Sequence, residues 1–158
     1  MIPRSFRLVM KKIADAKIKG NWFYAGSTGS ELEGMVYPWK RGYPEDLDIA
    51  VDKKALGKFR KLFGKKGRKK GGDEVVFVVD GVIVELCLKP RKYELFKKIK
   101  SKNGYNTLSL KDQIRRYELA GSREKELRIK IFLETGKVKI KPLRFKSFSK
   151  RTRTIFPH

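Results

Sequence analysis

Histidine and cysteine are almost missing from these 158 residues: one histidine, His158, and one cysteine, Cys87. A lone cysteine has no internal disulfide partner, and a Cys/His zinc site needs more donors than the chain owns. Nucleophilic use of Cys87 would need a neighbouring base, and the only imidazole is His158, so Cys87 is expected in the core of a strand. Long apolar runs are missing too. None approaches the ~20 residues that span a bilayer, and no basic segment is cleanly amphipathic. Arg4, Arg7, Lys11 and Lys12 interrupt the first apolar residues, unlike a secretory leader, so a cytoplasmic chain without a membrane partner is expected. Acids are scarce, 17 against 40 lysines and arginines, for a net charge of +23. That surplus is costly in self-repulsion unless an anion offsets it, and nucleic acid is a better candidate than an acidic membrane surface.

The length suits one compact domain, and no internal repeat is visible. Phe6, Met10, Ile13 and Ala14 recur at helical spacing, predicting a helix over Arg4 to Lys17 that Gly20 ends. Trp22 to Ala25 predicts a strand leading into the turn Gly26-Ser27-Thr28-Gly29-Ser30. Small residues there let the backbone approach a triphosphate, and Ser27 or Ser30 can add a hydroxyl donor. If Asp46 to Val51 is a strand, Asp46 and Asp48 share one face, and Leu47, Ile49 and Val51 the other. Paired carboxylates at that spacing suit Mg²⁺, or Mn²⁺, together with the phosphates of a substrate. Val75 to Val79 and Val82 to Leu88, joined by Asp80-Gly81, predict a hairpin with a type I′ turn. Within it Glu85 falls on the face of Ile83 and Cys87, an acid that is not expected to be buried unpaired.

Further along, Asp52 is positioned to cap a helix over Lys53 to Phe63, with Leu56, Phe59 and Phe63 inward. Gly64 to Gly72, with Lys65, Lys66, Arg68, Lys69 and Lys70, reads as a basic loop that is either a solvated connector or a phosphate-gripping finger. Lys92 to Lys100 is predicted helical, with Tyr93 and Phe96 in the core. Ser109 is expected to cap a helix presenting Leu110, Ile114 and Tyr117. Arg123 to Glu134 is expected to present Leu127, Ile131 and Phe132 before Gly136 stops it. From Lys137 onward there is no acid. Arg144, Lys146, Lys150, Arg151 and Arg153 alternate with Phe145, Phe148 and Phe156, a composition suited to phosphate and base contact. Val138 and Ile140 could anchor that segment as a strand. Trp39, beside Lys40 and Arg41, either stacks on a base or plugs its loop onto the core.

The order of Gly-Ser turn, Asp-x-Asp and a later strand acid resembles the nucleotidyltransferase superfamily. That superfamily includes DNA polymerase beta, the CCA-adding enzymes, antibiotic nucleotidyltransferases and the minimal nucleotidyltransferases of toxin systems. The resemblance covers roughly residues 20 to 90. It implies an α+β fold with a small, mixed, mostly antiparallel sheet and the acidic cluster at one edge. It also implies metal ligands at Asp46 and Asp48, phosphate contacts at Gly26 and Ser27 or equally at Gly29 and Ser30, and a third ligand or general base at Glu85. A weaker likeness runs from Leu108 through Arg116-Tyr117-Glu118 to Leu127, with Tyr117 where many relatives carry a triphosphate-clamping lysine. The interval between Ser27 and Asp46 is also longer than usual. The organisation implied is a catalytic core over 1–90, a helical acceptor-binding segment over 91–136 and a basic extension over 137–158. The activity implied is metal-dependent transfer of a nucleoside monophosphate from a nucleoside triphosphate to a hydroxyl, with nucleic acid as acceptor and RNA ahead of DNA. The alternatives are nucleotidylation of a protein or small molecule, as in toxin or resistance systems, and a non-catalytic nucleic-acid-binding module.

Overall fold

The structure is a computed structural model that describes residues 1–39, 46–64, 67–89 and 93–140. Lys40, Arg41, Lys65, Lys66, Lys92 and the predicted nucleic-acid contacts Arg144, Lys146, Lys150, Arg151 and Arg153 lie outside the described residues.

Helix α1 (Arg4–Ala16) buries Phe6, Val9, Met10 and Ile13, one stripe at the 3.6-residue period, and ends as Lys17 turns left-handed. Strand β1 (Trp22–Tyr24) is buried throughout and leads directly into α2 (Gly26–Leu32). The Gly-Ser segment is therefore a short helix rather than an open turn. β2 (Asp46–Val51) alternates as predicted. The Asp52 carboxylate then accepts the Ala55 N–H at 2.8 Å and caps α3 (Lys53–Phe63), whose buried side chains are Ala55, Leu56, Phe59 and Phe63.

Three strands follow: β3 (Arg68–Lys69), β4 (Glu74–Val79) and β5 (Val82–Leu88). Asp80 and Gly81 take positive φ of 49° and 79°, the predicted hairpin turn. The main sheet runs β1-β2-β5-β4-β3. Only the β2–β5 pair is parallel; the other pairings are antiparallel, in agreement with the expected mixed, mostly antiparallel α+β arrangement.

Leu47, Ile49, Val51, Val75, Phe77, Val84 and Leu86 cover one face of this sheet and pack against α1 and α3. On the other face, Phe23 and Ala50 pack with Leu95, Phe96 and Leu108. A third cluster joins Met35 and Tyr37, which follow α2, to Tyr117 and Ile129 of α4 (Leu110–Ala120) and α5 (Arg123–Thr135).

The region after β5 departs from expectation. The helix predicted over Lys92 to Lys100 is a 3-10 turn at Glu94–Lys98, and Lys100–Lys102 (β6) pairs with Tyr105–Thr107 (β7) across an Asn103-Gly104 turn. Asn106 donates to the Trp22 carbonyl at 3.1 Å, so this small hairpin covers the β1 edge. The basic loop contains β3, because Arg68 and Lys69 complete the sheet against Val76 and Val75. Val138 and Ile140 lie in irregular chain, though both pack on the third cluster. In α5 the buried positions are Glu126 and Ile129 rather than Leu127 and Ile131. Arg123 and Lys130 pair with Glu126 at 2.7 and 2.6 Å, which makes that burial tolerable and rotates the helix from its apolar pattern.

The segment between α2 and β2 is anchored by its aromatics. Trp39 packs edge-on to Phe6 with ring centroids 5.4 Å apart and donates its indole N–H to Glu31, so it plugs the chain onto the core.

A Cβ at Gly29 would drive into the Tyr24 carbonyl oxygen, and Ser30 Oγ donates to the buried Gln113 amide at 2.7 Å. Gln113 in turn donates to the carbonyls of Gly29 and Leu108 at 3.2 and 2.8 Å, tying α2 to α4. Gly29→Ala should therefore cost about 1–3 kcal/mol and Ser30→Ala about 1–2 kcal/mol in urea unfolding. Unchanged midpoints would show that this seam carries no stability.

Candidate active site

Parallel pairing sets Asp48 directly beside Glu85 and Asp46 beside Ile83. Alternation turns Leu47, Ile49, Val84 and Leu86 into the helix-covered core, so the acids must project from the opposite face. Carboxylate oxygens of Asp46, Asp48 and Glu85 all lie within 4.8 Å of one another. The three acids singled out in the sequence thus meet. They meet over the sheet interior rather than at an edge, because β5 inserts between β2 and β4.

Gly26 stands over this cluster with φ 60°, and a Cβ on it would lie 2.5 Å from Asp48 Oδ2. Backbone conformation and proximity to the carboxylate both demand glycine here. Ser27, half-buried, begins α2 beside it, whereas Gly29 and Ser30 are spent on the seam with Tyr24 and Gln113.

The acids repel one another. Burial, then the Asp48 charge and Glu85, push the Asp46 carboxyl up to about 7. Burial and Glu85 push Asp48 up to about 6 against the pull of Lys125, Arg116 and Lys70. A fourth acid, Glu74 of β4, is raised chiefly by its hydrogen bond with Glu85, and the same bond holds Glu85 below its ordinary value. Lys70, expected in a phosphate-gripping loop, pairs with Glu85 at 3.5 Å, while Arg68 and Lys69 of β3 are exposed.

All donors in the cluster are hard carboxylate oxygens, which suits Mg²⁺ or Mn²⁺ over softer metals, and a divalent cation would relieve the repulsion that raises Asp46 and Asp48. The residues present fit such an ion.

Cations face the acids across the cleft. Arg116 of α4 and Lys125 of α5 line it together with Gly26, Asp48, Glu74 and Glu85. Both cations stack on Tyr117: the Arg116 guanidinium is 5.2 Å and the Lys125 ammonium 5.7 Å from its ring centroid. Arg116 Nε is buried with no hydrogen-bond partner among the described residues. Cys87, expected in the core, is only half-buried and lines the cleft on the face of Glu85.

Sequence reasoning did not single out Glu74, Arg116 or Lys125. Glu74 was detectable, since it shares the alternation of Val76 and Val78 on the Glu85 face. Lys125 was not, because only the turn at Gly121 folds α5 back alongside α4.

No family model matches the chain, and no curated protein matches it. Among solved structures it is similar to a protein of Thermotoga maritima named provisionally as a nucleotidyltransferase. The likeness covers 85% of this chain and 96% of that one, with 23% identity and a TM-score of 0.59. The protein JHP933 of Helicobacter pylori is a more distant match, with 16% identity over 73% of this chain and 56% of that one and a TM-score of 0.46. The chain shares the fold of that Thermotoga maritima protein. Among the described residues no helix is long and apolar enough to cross a membrane.

Raised carboxyl values carry a sign. Asp46 and Asp48 bind protons more tightly folded than unfolded, so their stabilising effect is complete below the ordinary carboxyl value of 3.8 and is lost as pH rises through about 6 to 7. Without metal, melting should fall on the order of 2 kcal/mol from pH 5 to pH 8 relative to the Asp46→Asn, Asp48→Asn double variant. Millimolar Mg²⁺ should recover more of that loss at pH 8 than at pH 5. Parallel melting profiles for the two proteins, with or without Mg²⁺, would mean the acids neither repel nor bind the ion.

Proposed function

We propose that the protein transfers a nucleoside monophosphate from a nucleoside triphosphate to an acceptor hydroxyl, releasing pyrophosphate. The observation that carries this reading is the meeting of Asp46, Asp48 and Glu85 within 4.8 Å on two parallel-paired strands, faced by Arg116 and Lys125. A structural seam needs neither three mutually repelling carboxylates on an open face nor two cations turned towards them. The likeness in fold to a protein named as a nucleotidyltransferase supports it.

Asp46, Asp48 and Glu85 would hold the divalent metal, which when bound neutralises phosphate charge and stabilises the attacking and leaving oxygens. Arg116 and Lys125 meet the triphosphate, one by a planar fork and the other by a point charge, and Tyr117 keeps both aligned. Lys125 thereby supplies the clamp from α5 that the α4 position occupied by Tyr117 lacks. Gly26 leaves room for the phosphates over Asp48, and Ser27 offers a hydroxyl donor beside it. Glu85, beside Asp46 and Asp48, is placed to accept the proton of the acceptor hydroxyl as that oxygen bonds to the α-phosphorus and the bond to pyrophosphate breaks.

Nucleic acid is the favoured acceptor, because +23 attracts a polyanion and repels a polycationic small molecule. RNA stands ahead of DNA in this reading.

Incubation with each α-labelled nucleoside triphosphate, Mg²⁺ or Mn²⁺ and total RNA, DNA or protein tests the proposal by which pool becomes labelled. Asp46→Ala and Asp48→Ala should each lower transfer by at least about 10³-fold with little loss of stability, since several kcal/mol of transition-state stabilisation depend on those oxygens. Glu85→Gln should reduce kcat more than triphosphate affinity, and Lys125→Ala should do the reverse. Labelling that persists in the Asp46→Ala, Asp48→Ala double variant would remove the assignment.

A further inference from the structure

Helix α3 breaks two local rules for which its own fold gives no reason. Lys53 and Lys54 occupy its first turn, where the helix dipole disfavours positive charge and the capping carboxylate of Asp52 is the one acid beside them. Gly57 sits at its middle, where glycine costs helix stability relative to alanine, yet a Cβ there would meet nothing within 4 Å. Elsewhere in the fold a tight glycine has a visible neighbour, as Gly26 and Gly29 do. At Gly57 the neighbour is missing.

The exposed side of the same helix is wholly basic. Lys53, Gly57 and Arg60 form one stripe along a cleft of about 320 Å³, with Lys69 of β3 among its walls and Leu56 and Val75 also lining it. Lys54, Lys58 and Lys61 form the adjoining stripe at the i, i+4, i+7 spacing and are all exposed. None of these six cations has an ion-pair partner among the described residues. Asp73 and Glu74 are the acids of the cleft. α3 packs on the face of Leu47, Ile49 and Val84, opposite to the face from which Asp46, Asp48 and Glu85 project, and Glu74 lines both its cleft and theirs.

We propose that this flank of α3, from Lys53 to Lys61 around Gly57 and across to Lys69, docks the phosphate backbone of a nucleic acid outside the cleft of Asp46, Asp48 and Glu85. Gly57 would let a strand approach the helix backbone between the flanking cations, and the lysines would neutralise consecutive phosphates without reading sequence. A membrane fits less well, since the exposed positions of α3 include no large apolar side chain to enter the interface. The inference rests on the nucleic-acid part of the proposed function and not on the transfer chemistry.

The test is binding of a short fluorescein-labelled RNA duplex by anisotropy across a salt series, with neither metal nor triphosphate present. The Lys54→Gln, Lys58→Gln, Lys61→Gln variant should bind at least tenfold more weakly at moderate salt, with the slope of log affinity against log salt flattened by about 2 to 3. Gly57→Ala should raise the melting temperature by about 2–4 °C while weakening RNA binding several-fold. Loss of binding in a more stable protein cannot come from misfolding. A triple variant with the wild-type slope, or a Gly57→Ala protein that is stabilised and binds normally, would overturn the proposal even if RNA is still labelled in the transfer assay. So would a wild-type protein that binds phosphatidylserine vesicles and not RNA. RNA binding that depends on α3 in a protein with no transfer activity towards any pool would support this inference while the proposed activity fails.

Discussion

The parallel pairing of β2 with β5 is the constraint on which the rest of the molecule depends. Two strands in that relation cannot be joined by a tight turn, so the chain between them leaves the sheet as α3 and returns through β3 and β4. That excursion provides the helix layer over Leu47, Ile49, Val84 and Leu86. With one face so buried, period-two alternation leaves Asp46, Asp48 and Glu85 only the other face. A one-residue slip would bury the acids and expose the core, so register and chemistry are enforced together.

The acid cluster is expensive in isolation. Its repulsion is partly offset from within, by Lys70 at Glu85 and by the hydrogen bond between Glu74 and Glu85, and partly by Arg116 and Lys125 from the helical hairpin. This ties the helical segment to the sheet electrostatically, while Met35, Tyr37, Tyr117 and Ile129 pack it against the chain that follows α2. A site that retains net repulsion in the folded state is poised for a cation, and one flanked by an arginine and a lysine is poised for an anion. Both requirements belong to a metal-bound polyphosphate.

Charge elsewhere is arranged differently. The active-site cleft mixes acids with cations, whereas the exposed charged side chains of α3 itself are all basic. The overall surplus of +23 is thus not a uniform coat.

Much of this was legible in sequence. Alternation in Asp46–Val51 and Val82–Leu88, the Asp80-Gly81 turn and the Asp52 and Ser109 caps are local signals, and local hydrogen bonds and side-chain period suffice to produce them. The candidate acids followed because strand alternation fixes which face a residue takes. What the sequence did not determine was every feature whose energy comes from distant partners. Gly26–Leu32 is helical because Gly29 packs under Tyr24 and Ser30 reaches Gln113 of α4, 83 positions away. Cys87 escaped the core because the strand face it shares with Glu85 opens on the cleft. Glu126 replaced Leu127 inside α5 because Arg123 and Lys130 could neutralise it there. Lys125 reached the acids only after the turn at Gly121 laid α5 along α4. Short-range periodicity therefore determined the strands and their faces, while the tertiary structure alone decided which cations meet the carboxylates, since Coulomb attraction and burial depend on distance in space and not along the chain.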